Sequence, residues 1–227
     1  MEKYFGYAGR ILRVNLSEES FEITPLSQDL IQNFIGGRSI NAKILYDEVP
    51  ARIDPFDPKN CVILGAGPLV GTIAPSVGRY NATTKSAITR IFGDSNAGGH
   101  WGPELKYAGF DHIVIFGEAK QPKYLWISDG KAELRDASHL WGKDTWETTE
   151  AIQKELGDPE VQVLCIGPAG SNLVQHSQGQ LDLIKRAGPM VAISAINPLF
   201  QTYQKSRDSI FKYSVGPNAN FNPGNLP

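Results

Sequence analysis

Alternating apolar and polar residues near the start of the chain predict a β-hairpin. Residues 10–16 alternate with a period of two, a polar loop occupies 17–20, and a second extended segment follows at 21–24. Because successive side chains of a strand point to opposite faces of a sheet, this alternation places one face of the hairpin against a core. The fold therefore begins with a sheet.

A helical period replaces the alternation after the hairpin. Ser27 is a suitable N-cap for a helix with one apolar face, which carries Leu30, Ile31, Phe34 and Ile35. The pair Gly36-Gly37 interrupts this helix, and a second helical pattern runs from Ile40 to near Pro50. Two consecutive helices are therefore expected before the next strand.

Later segments predict short strands separated by glycine-rich turns. Apolar runs favour buried strands at 61–64, 113–116 and 161–166. A polar strand is expected at 79–84, and a glycine-rich turn at 93–99 is expected to lead into a short helix that ends at Gly109. The dipeptide Asp129-Gly130 between two extended segments is typical of a type I′ hairpin turn. Thr145 is the expected N-cap of a helix that Gly157 ends.

These elements favour an α+β fold over α/β, because hairpins outnumber regular strand–helix–strand units. The strands at 61–64 and 161–166 both lead into a Gly-Pro dipeptide, at Gly67-Pro68 and Gly167-Pro168. This similarity indicates either an internal duplication or two strands that end in ordinary turns.

The character of the sequence changes after Gly188. Five prolines interrupt the segment at 189–227, which we interpret as a divergent tail after a domain at 1–188. Residues 191–211 keep apolar groups that suit either a short helix or a strand. The last twelve residues are expected to be disordered.

Composition excludes several classes of function. The 22 basic and 24 acidic residues leave a net charge of -2, which gives no basic excess for binding nucleic acid. No apolar run approaches the roughly 18 residues of a membrane helix, so a cytoplasmic protein is expected. Cys61 and Cys165 lie in apolar runs and have no metal or redox spacing, so both are interpreted as small buried thiols.

Familiar catalytic motifs are absent from the sequence, and its four histidines are too scattered for one helix or hairpin to gather. Glycines instead cluster near isolated polar residues at 65–71, 78–81 and 95–99. Glycine lets a ligand approach the backbone closely, so these segments suit phosphate binding. The alternative is that they form ordinary turns. A nicotinamide-binding loop is disfavoured because Pro68 removes a backbone donor that such a loop needs.

Several motifs together resemble the N-terminal domain of the aldehyde:ferredoxin oxidoreductase family. They include GGR at 36–38, GPLVGT at 67–72, GRYN at 78–81, NAGG at 96–99, ELKYAGFD at 104–111, LWGK at 140–143 and IGPAG at 166–170. The resemblance extends over residues 5 to about 175. It implies two β-sheets of mostly antiparallel strands with flanking helices, on which a bis-pterin cofactor (molybdopterin type) carries tungsten, or molybdenum in some relatives.

The resemblance assigns cofactor-binding roles to residues of two segments. It implies that Arg79 contacts a pterin phosphate, and that Asn96 and Gly98 contact the phosphates and a bridging Mg²⁺ at a helix start. In the second segment Arg186, Ala187 and Gly188 are the equivalents, with Ala187 also near the Mg²⁺. The glycine-rich run that follows in the family is missing here.

The implied activity is oxidation of an aldehyde to a carboxylic acid, with electron transfer to ferredoxin. Full-length relatives bind an iron–sulfur [4Fe–4S] cluster through four cysteines of later domains, and this chain holds no equivalents. The sequence therefore indicates a cofactor-binding domain that is inactive alone. It is either a truncated or frameshifted family member, or a stand-alone domain that acts with a partner chain or as a homo-oligomer. The alternative is a non-catalytic accessory domain that packs against a partner and binds no cofactor.

Overall fold

The computed structural model describes residues 5–166 and the backbone of 190–194. The first part comprises β1 (Arg10–Asn15), β2 (Ser20–Pro25), α1 (Gln28–Phe34), α2 (Arg38–Glu48), β3 (Cys61–Ala66), β4 (Tyr80–Lys85), β5 (Phe92–Ala97), α3 (Trp101–Tyr107) and β6 (His112–Phe116). The second comprises β7 (Lys123–Ser128), β8 (Lys131–Asp136), a 3₁₀ turn (Ser138–Leu140), α4 (Thr145–Leu156), β9 (Gln162–Leu164) and β10 (Met190–Ser194). None of the described helices is both long and apolar enough to cross a bilayer.

The strands form two mixed sheets, in the orders β2-β1-β6-β3-β4-β5 and β8-β7-β10-β9. Only the β1/β6 and β7/β10 pairs are parallel among the described strands, and the other pairs are antiparallel. The expected α+β fold with two mostly antiparallel sheets is therefore confirmed.

The two sheets also share a topology. In the first sheet, β1 of the β1/β2 hairpin pairs in parallel with β6, and β6 pairs antiparallel with β3, which follows α1 and α2. In the second sheet, β7 of the β7/β8 hairpin pairs in parallel with β10, and β10 pairs antiparallel with β9, which follows α4. The first sheet adds β4 and β5 at one edge. This repeated order agrees with an internal duplication.

Alternation along the central strands divides the core into layers. In β3, Val62 and Leu64 face a cluster between the two sheets, while Ile63 faces a cluster beneath α1 and α2. A third cluster joins the second sheet to α4, through residues that include Tyr124 and Ile152. The sheet that carries β4 and β5 is thus supported on both faces.

Local sequence explains most element boundaries. The Ser27 side chain accepts a hydrogen bond from the Leu30 N–H, as expected of an N-cap. Asp129 and Gly130 both have positive φ, of 46° and 80°, which the predicted type I′ turn requires. Gly157 ends α4 in the left-handed conformation.

Two local predictions are wrong. The segment at 93–99 is mainly the edge strand β5 rather than a turn, because it completes a hairpin with β4. The N-cap of α4 is Asp144 rather than Thr145, since Asp144 and Glu147 form a reciprocal capping box.

β10 begins two residues after the predicted boundary at 188, and its position fits the strand alternative for 191–211. It pairs with β7 and β9 within the second sheet. The segment at 167–170, the cofactor segment at 186–188 and the last twelve residues lie outside the described residues.

Candidate functional site

Arg79 and Asn96 are distant in sequence but adjacent in the structure. Arg79 directly precedes β4, Asn96 lies in β5, and the two strands pair antiparallel with Asn81 opposite Asn96. The Arg79 Nη1 donates a hydrogen bond of 2.5 Å to the Asn96 Oδ1. Both side chains are exposed, so this pair is accessible to a ligand.

Asn81 connects this pair to the rest of β5. Its Nδ2 lies 3.4 Å from the Asp94 Oδ2 and 3.3 Å from the Ser95 carbonyl oxygen, and its Oδ1 lies 3.4 Å from the Asn96 Nδ2. The hairpin therefore presents a row of hydrogen-bonded polar side chains at one edge of the first sheet.

Arg38, which the sequence analysis did not single out as a site residue, extends this row. Its Nε lies 3.0 Å from the Asp94 Oδ2, and its guanidinium carbon lies 5.7 Å from the centre of the Phe92 ring. We call the connected residues the polar strip: Arg38, Asp94, Asn81, Asn96 and Arg79. The GGR motif at 36–38 marks this position in the sequence, but the pairing with Asp94 is visible only in the fold.

Gly37 places Arg38 next to the strip. It has a φ of 53°, precedes α2, and donates its N–H to the Ala66 carbonyl at 3.2 Å. A Cβ at Gly37 would lie 3.6 Å from the Asn81 Oδ1. The positive φ favours glycine here, and this backbone conformation lets α2 begin beside the strip.

Glycines also shape the loops near Arg79. A Cβ at Gly78 would lie 2.7 Å from the Gly99 carbonyl oxygen, so these two loops touch through their backbones. A Cβ at Gly98 would meet no atom within 4 Å, and Gly98 is exposed. The backbone next to Asn96 is therefore open to an approaching group.

A fully buried pair supports the strip from below. The Asn41 Nδ2 donates to the carbonyl oxygens of Ile63 and Asn81 and to the Thr83 Oγ1, at 3.2 to 3.3 Å. Its Oδ1 lies 2.8 Å from the His112 Nδ1. This arrangement fixes α2 against β3, β4 and β6, and so fixes the strip's backbone.

The His112 ring is neutral at physiological pH. Burial lowers its pKa to about 4, an effect that Asp111 opposes and Lys106 reinforces. Because Asn41 Oδ1 can only accept, we assign the proton to His112 Nδ1. Its Nε2 then has a free lone pair and is buried without a hydrogen-bond partner among residues 5–166. Full burial and the contact with Asn41 are typical of a structural rather than a catalytic histidine.

The strip has an excess of positive charge. It contains two arginines and one carboxylate, and that carboxylate is the ion-pair partner of Arg38. Within the described residues no carboxylate lies within ion-pair distance of Arg79. Two guanidinium groups, two amides and an open glycine backbone together suit phosphate oxygens.

The structure places Asn96 differently from the expected helix start. Asn96 is in β5, and α3 begins five residues later at Trp101. Its Oδ1 is hydrogen-bonded to Arg79, so it would have to exchange that partner to reach Mg²⁺. The described residues contain no group of three or more His, Cys, Asp or Glu that could hold a metal ion. The phosphate-binding role fits these donors better than the metal-binding role.

The two cysteines are too few to hold a [4Fe–4S] cluster, which needs four. Burial raises the pKa of the Cys61 thiol to about 12. Burial also raises the pKa of Cys165, which is half-buried rather than buried as expected. Both thiols are therefore protonated at neutral pH in this structure.

A cavity of about 770 Å³ is lined in part by Phe92, whose ring also contacts Arg38 of the strip. It lies between the end of α2 and the turn that joins β4 to β5, and its lining includes Tyr46, Ile91 and Lys85. Lys85 is largely buried and donates to the Ala51 carbonyl oxygen at 2.6 Å. The cavity is thus mostly apolar and distinct in character from the strip.

Comparison with known proteins identifies the fold and the family. The family model for the aldehyde ferredoxin oxidoreductase N-terminal domain matches residues 11–189. Tungsten-containing aldehyde ferredoxin oxidoreductases of Pyrococcus furiosus and Thermococcus kodakarensis are each 43% identical over 184 residues, which are 81% of this chain and 30% of those proteins. The chain thus spans about a third of the length of these relatives.

A solved structure is also similar. The active-site complex BamBC of benzoyl coenzyme A reductase, in complex with 1,5-dienoyl-CoA, has a TM-score of 0.83 and 34% identity, and the match covers 96% of this chain and 37% of that one. The family model covers well over half of the chain. The chain therefore belongs to the aldehyde ferredoxin oxidoreductase family and corresponds to its N-terminal domain.

Proposed function

We propose that this domain binds the phosphates of a tungstopterin cofactor in an oxidoreductase that converts aldehydes to carboxylic acids with ferredoxin as electron acceptor. The observation that carries the proposal is the contact of Arg79 with Asn96 on the exposed strip. Relatives at 43% identity are named as tungsten-containing enzymes, which supports this cofactor. When bound, the cofactor would supply the two-electron redox chemistry of aldehyde oxidation.

The chain's own residues would bind and orient the cofactor. Arg79 would donate N–H groups to a phosphate, and its bond to Asn96 restricts the guanidinium orientation. The exposed Gly98 would allow close approach of the backbone. Arg186, Ala187 and Gly188 remain proposed partners of the same phosphates, and a bridging Mg²⁺ near Asn96 and Ala187 is part of the same proposal.

The choice of an aldehyde as the proposed substrate rests on sequence identity to the relatives. The structural neighbour named as a benzoyl coenzyme A reductase is 34% identical, against 43% for the aldehyde oxidoreductases. Fold alone does not determine the reaction, so the closer sequence relation favours aldehyde oxidation. We further propose a cytoplasmic protein that acts with a partner chain or as a homo-oligomer.

Metal and pterin analysis tests the proposal. The chain is purified from an anaerobic host supplied with tungstate, together with Arg79→Gln and the control Arg90→Gln, which changes an exposed arginine 3.9 Å from Asp54. We expect bound tungsten and pterin in the wild type and the control, and about a tenfold weaker retention in Arg79→Gln, because a charge-assisted contact is lost. A correctly folded wild type without either component would favour the non-catalytic accessory domain instead.

A further inference from the structure

We propose that Arg38 is a second phosphate-binding residue, so that the strip binds two adjacent phosphate groups, one at each arginine. The inference rests on the proposed function, because it assumes that the strip is the anion-binding surface. It adds a residue on α2 to a site whose motif residues Arg79 and Asn96 lie just before β4 and on β5.

The geometry of Arg38 leaves donors free for a ligand. Its Nε faces the Asp94 carboxylate at 3.0 Å, and its guanidinium carbon lies 5.7 Å from the Phe92 ring centre. These two contacts restrict the planar group, while its side chain remains 63% exposed. An arginine held through Nε can still offer its two terminal nitrogens to phosphate oxygens, which is a geometry that lysine cannot provide.

The spacing of the two arginines follows from the strand that holds them. Asp94 and Asn96 lie two positions apart on β5, so their side chains share one face and are separated by about 7 Å along the strand. Asp94 pairs with Arg38, and Asn96 accepts a hydrogen bond from Arg79. Asn81 is hydrogen-bonded to both Asp94 and Asn96. Two arginines held by neighbouring positions on one face of a strand suit a pair of phosphates better than one.

The charges also assign Asp94 to Arg38 rather than to a metal. Its carboxylate is hydrogen-bonded to Asn81 Nδ2 and paired with Arg38, and its side chain is 22% exposed. A carboxylate in an anion-binding surface is unfavourable unless a cation neutralises it. The Arg38 guanidinium provides this neutralisation while it presents its remaining N–H groups outward.

The test compares inorganic pyrophosphate with inorganic phosphate. Dissociation constants are measured by isothermal titration calorimetry, with backbone amide shifts locating the binding surface. The proteins are the wild-type chain, Arg38→Gln, Arg38→Lys, Arg79→Gln and the control Arg90→Gln. Thermal unfolding without ligand verifies that the exposed substitutions leave folding intact.

Two phosphate-binding arginines predict a specific pattern. The wild type and Arg90→Gln should bind pyrophosphate about tenfold or more tightly than phosphate, because pyrophosphate gains a second charge-assisted contact. Arg38→Gln should lose this preference for pyrophosphate while it still binds phosphate at Arg79. Arg38→Lys should recover little of it, because its ammonium cannot bind Asp94 and an anion in the same planar geometry.

The outcomes separate the inference from the proposed function. If Arg79→Gln weakens binding and Arg38→Gln retains the wild-type preference, the role of Arg38 is overturned and the proposed function stands. If the wild type binds neither anion, or if Arg79→Gln has no effect, the strip is not an anion site and both proposals fail.

Discussion

Acidification should destabilise this domain through one buried histidine. His112 is fully buried on β6, and its Nδ1 is hydrogen-bonded to Asn41. The Asn41 amide also donates to a backbone carbonyl of β3 and to a carbonyl and a hydroxyl of β4. Its Nε2 has no hydrogen-bond partner among the described residues. Protonation would therefore create a buried imidazolium whose new N–H has no acceptor.

The direction of the effect follows from the pKa. Burial lowers the pKa of His112 to about 4 from an ordinary value of 6.5, so the unfolded chain binds the proton more readily. The folded state keeps its full stability above about pH 6.5 and loses it as the pH falls towards 4. From the two pKa values, the loss attributable to His112 is about 2 kcal/mol at pH 5 relative to pH 7.5.

Urea unfolding at pH 7.5 and pH 5 measures this loss. The substitution His112→Gln keeps an N–H donor for Asn41 but does not titrate, so its stability should fall by about 2 kcal/mol less than that of the wild type between the two pH values. The control His100→Gln removes an exposed histidine with no capping hydrogen bond at the start of α3, and should behave as the wild type does.

An NMR titration of the His112 ring provides a measurement that does not depend on the variant's stability. The ring should remain neutral in the folded chain down to about pH 5, in accordance with its low pKa. A ring that protonates near pH 6.5 while the chain stays folded would refute the reasoning. So would a His112→Gln variant with the wild-type pH dependence.

Three further predictions concern the scaffold and the activity. Asp111→Asn should cost about 3 kcal/mol in urea unfolding, because it leaves the Lys106 ammonium buried without its carboxylate; a loss below about 1 kcal/mol would contradict this. Gly65→Ala should lower the free energy of unfolding by about 1 to 3 kcal/mol or more, since its Cβ would overlap the Asn41 and His112 side chains. The control Gly67→Ala, whose Cβ would enter open space, should lower it less, and equal losses would contradict this. The purified chain alone should not oxidise aldehydes with a viologen acceptor, because its 227 residues contain two cysteines and a [4Fe–4S] cluster needs four; turnover by cluster-free protein would contradict this.

The periodicity of apolar residues predicts most helices and strands, because these elements depend on local interactions or on burial of one face. The alternation at 10–16 survives in the structure as β1, whose Leu12 and Val14 face the space between the sheets. The type I′ turn at 129–130 is determined by two residues that accept positive φ. Such features follow from backbone sterics and apolar burial, which a single sequence records directly.

The failures have long-range causes. β5 contains one glycine and three small polar residues among its six and has low intrinsic strand propensity, yet it pairs along its length with β4. For the same reason Asn96 was expected at a helix start rather than on a strand. Arg38 and Asp94 are 56 positions apart, so no local pattern predicts their ion pair. The family motifs identified Arg79 and Asn96, but only the fold connects them to α2.

The buried network explains why an exposed strip can keep a defined geometry. An exposed ion pair such as Arg38 with Asp94 contributes little stability alone, because solvent screens it and both side chains lose conformational freedom. The strip's backbone is instead fixed from below, where Asn41 bonds to the Asn81 carbonyl and the Thr83 hydroxyl in the dry core. Ligand affinity and core stability are thereby separable properties. Substitutions at Arg38 should change anion binding without unfolding the domain, whereas substitutions at Asn41 should disturb both.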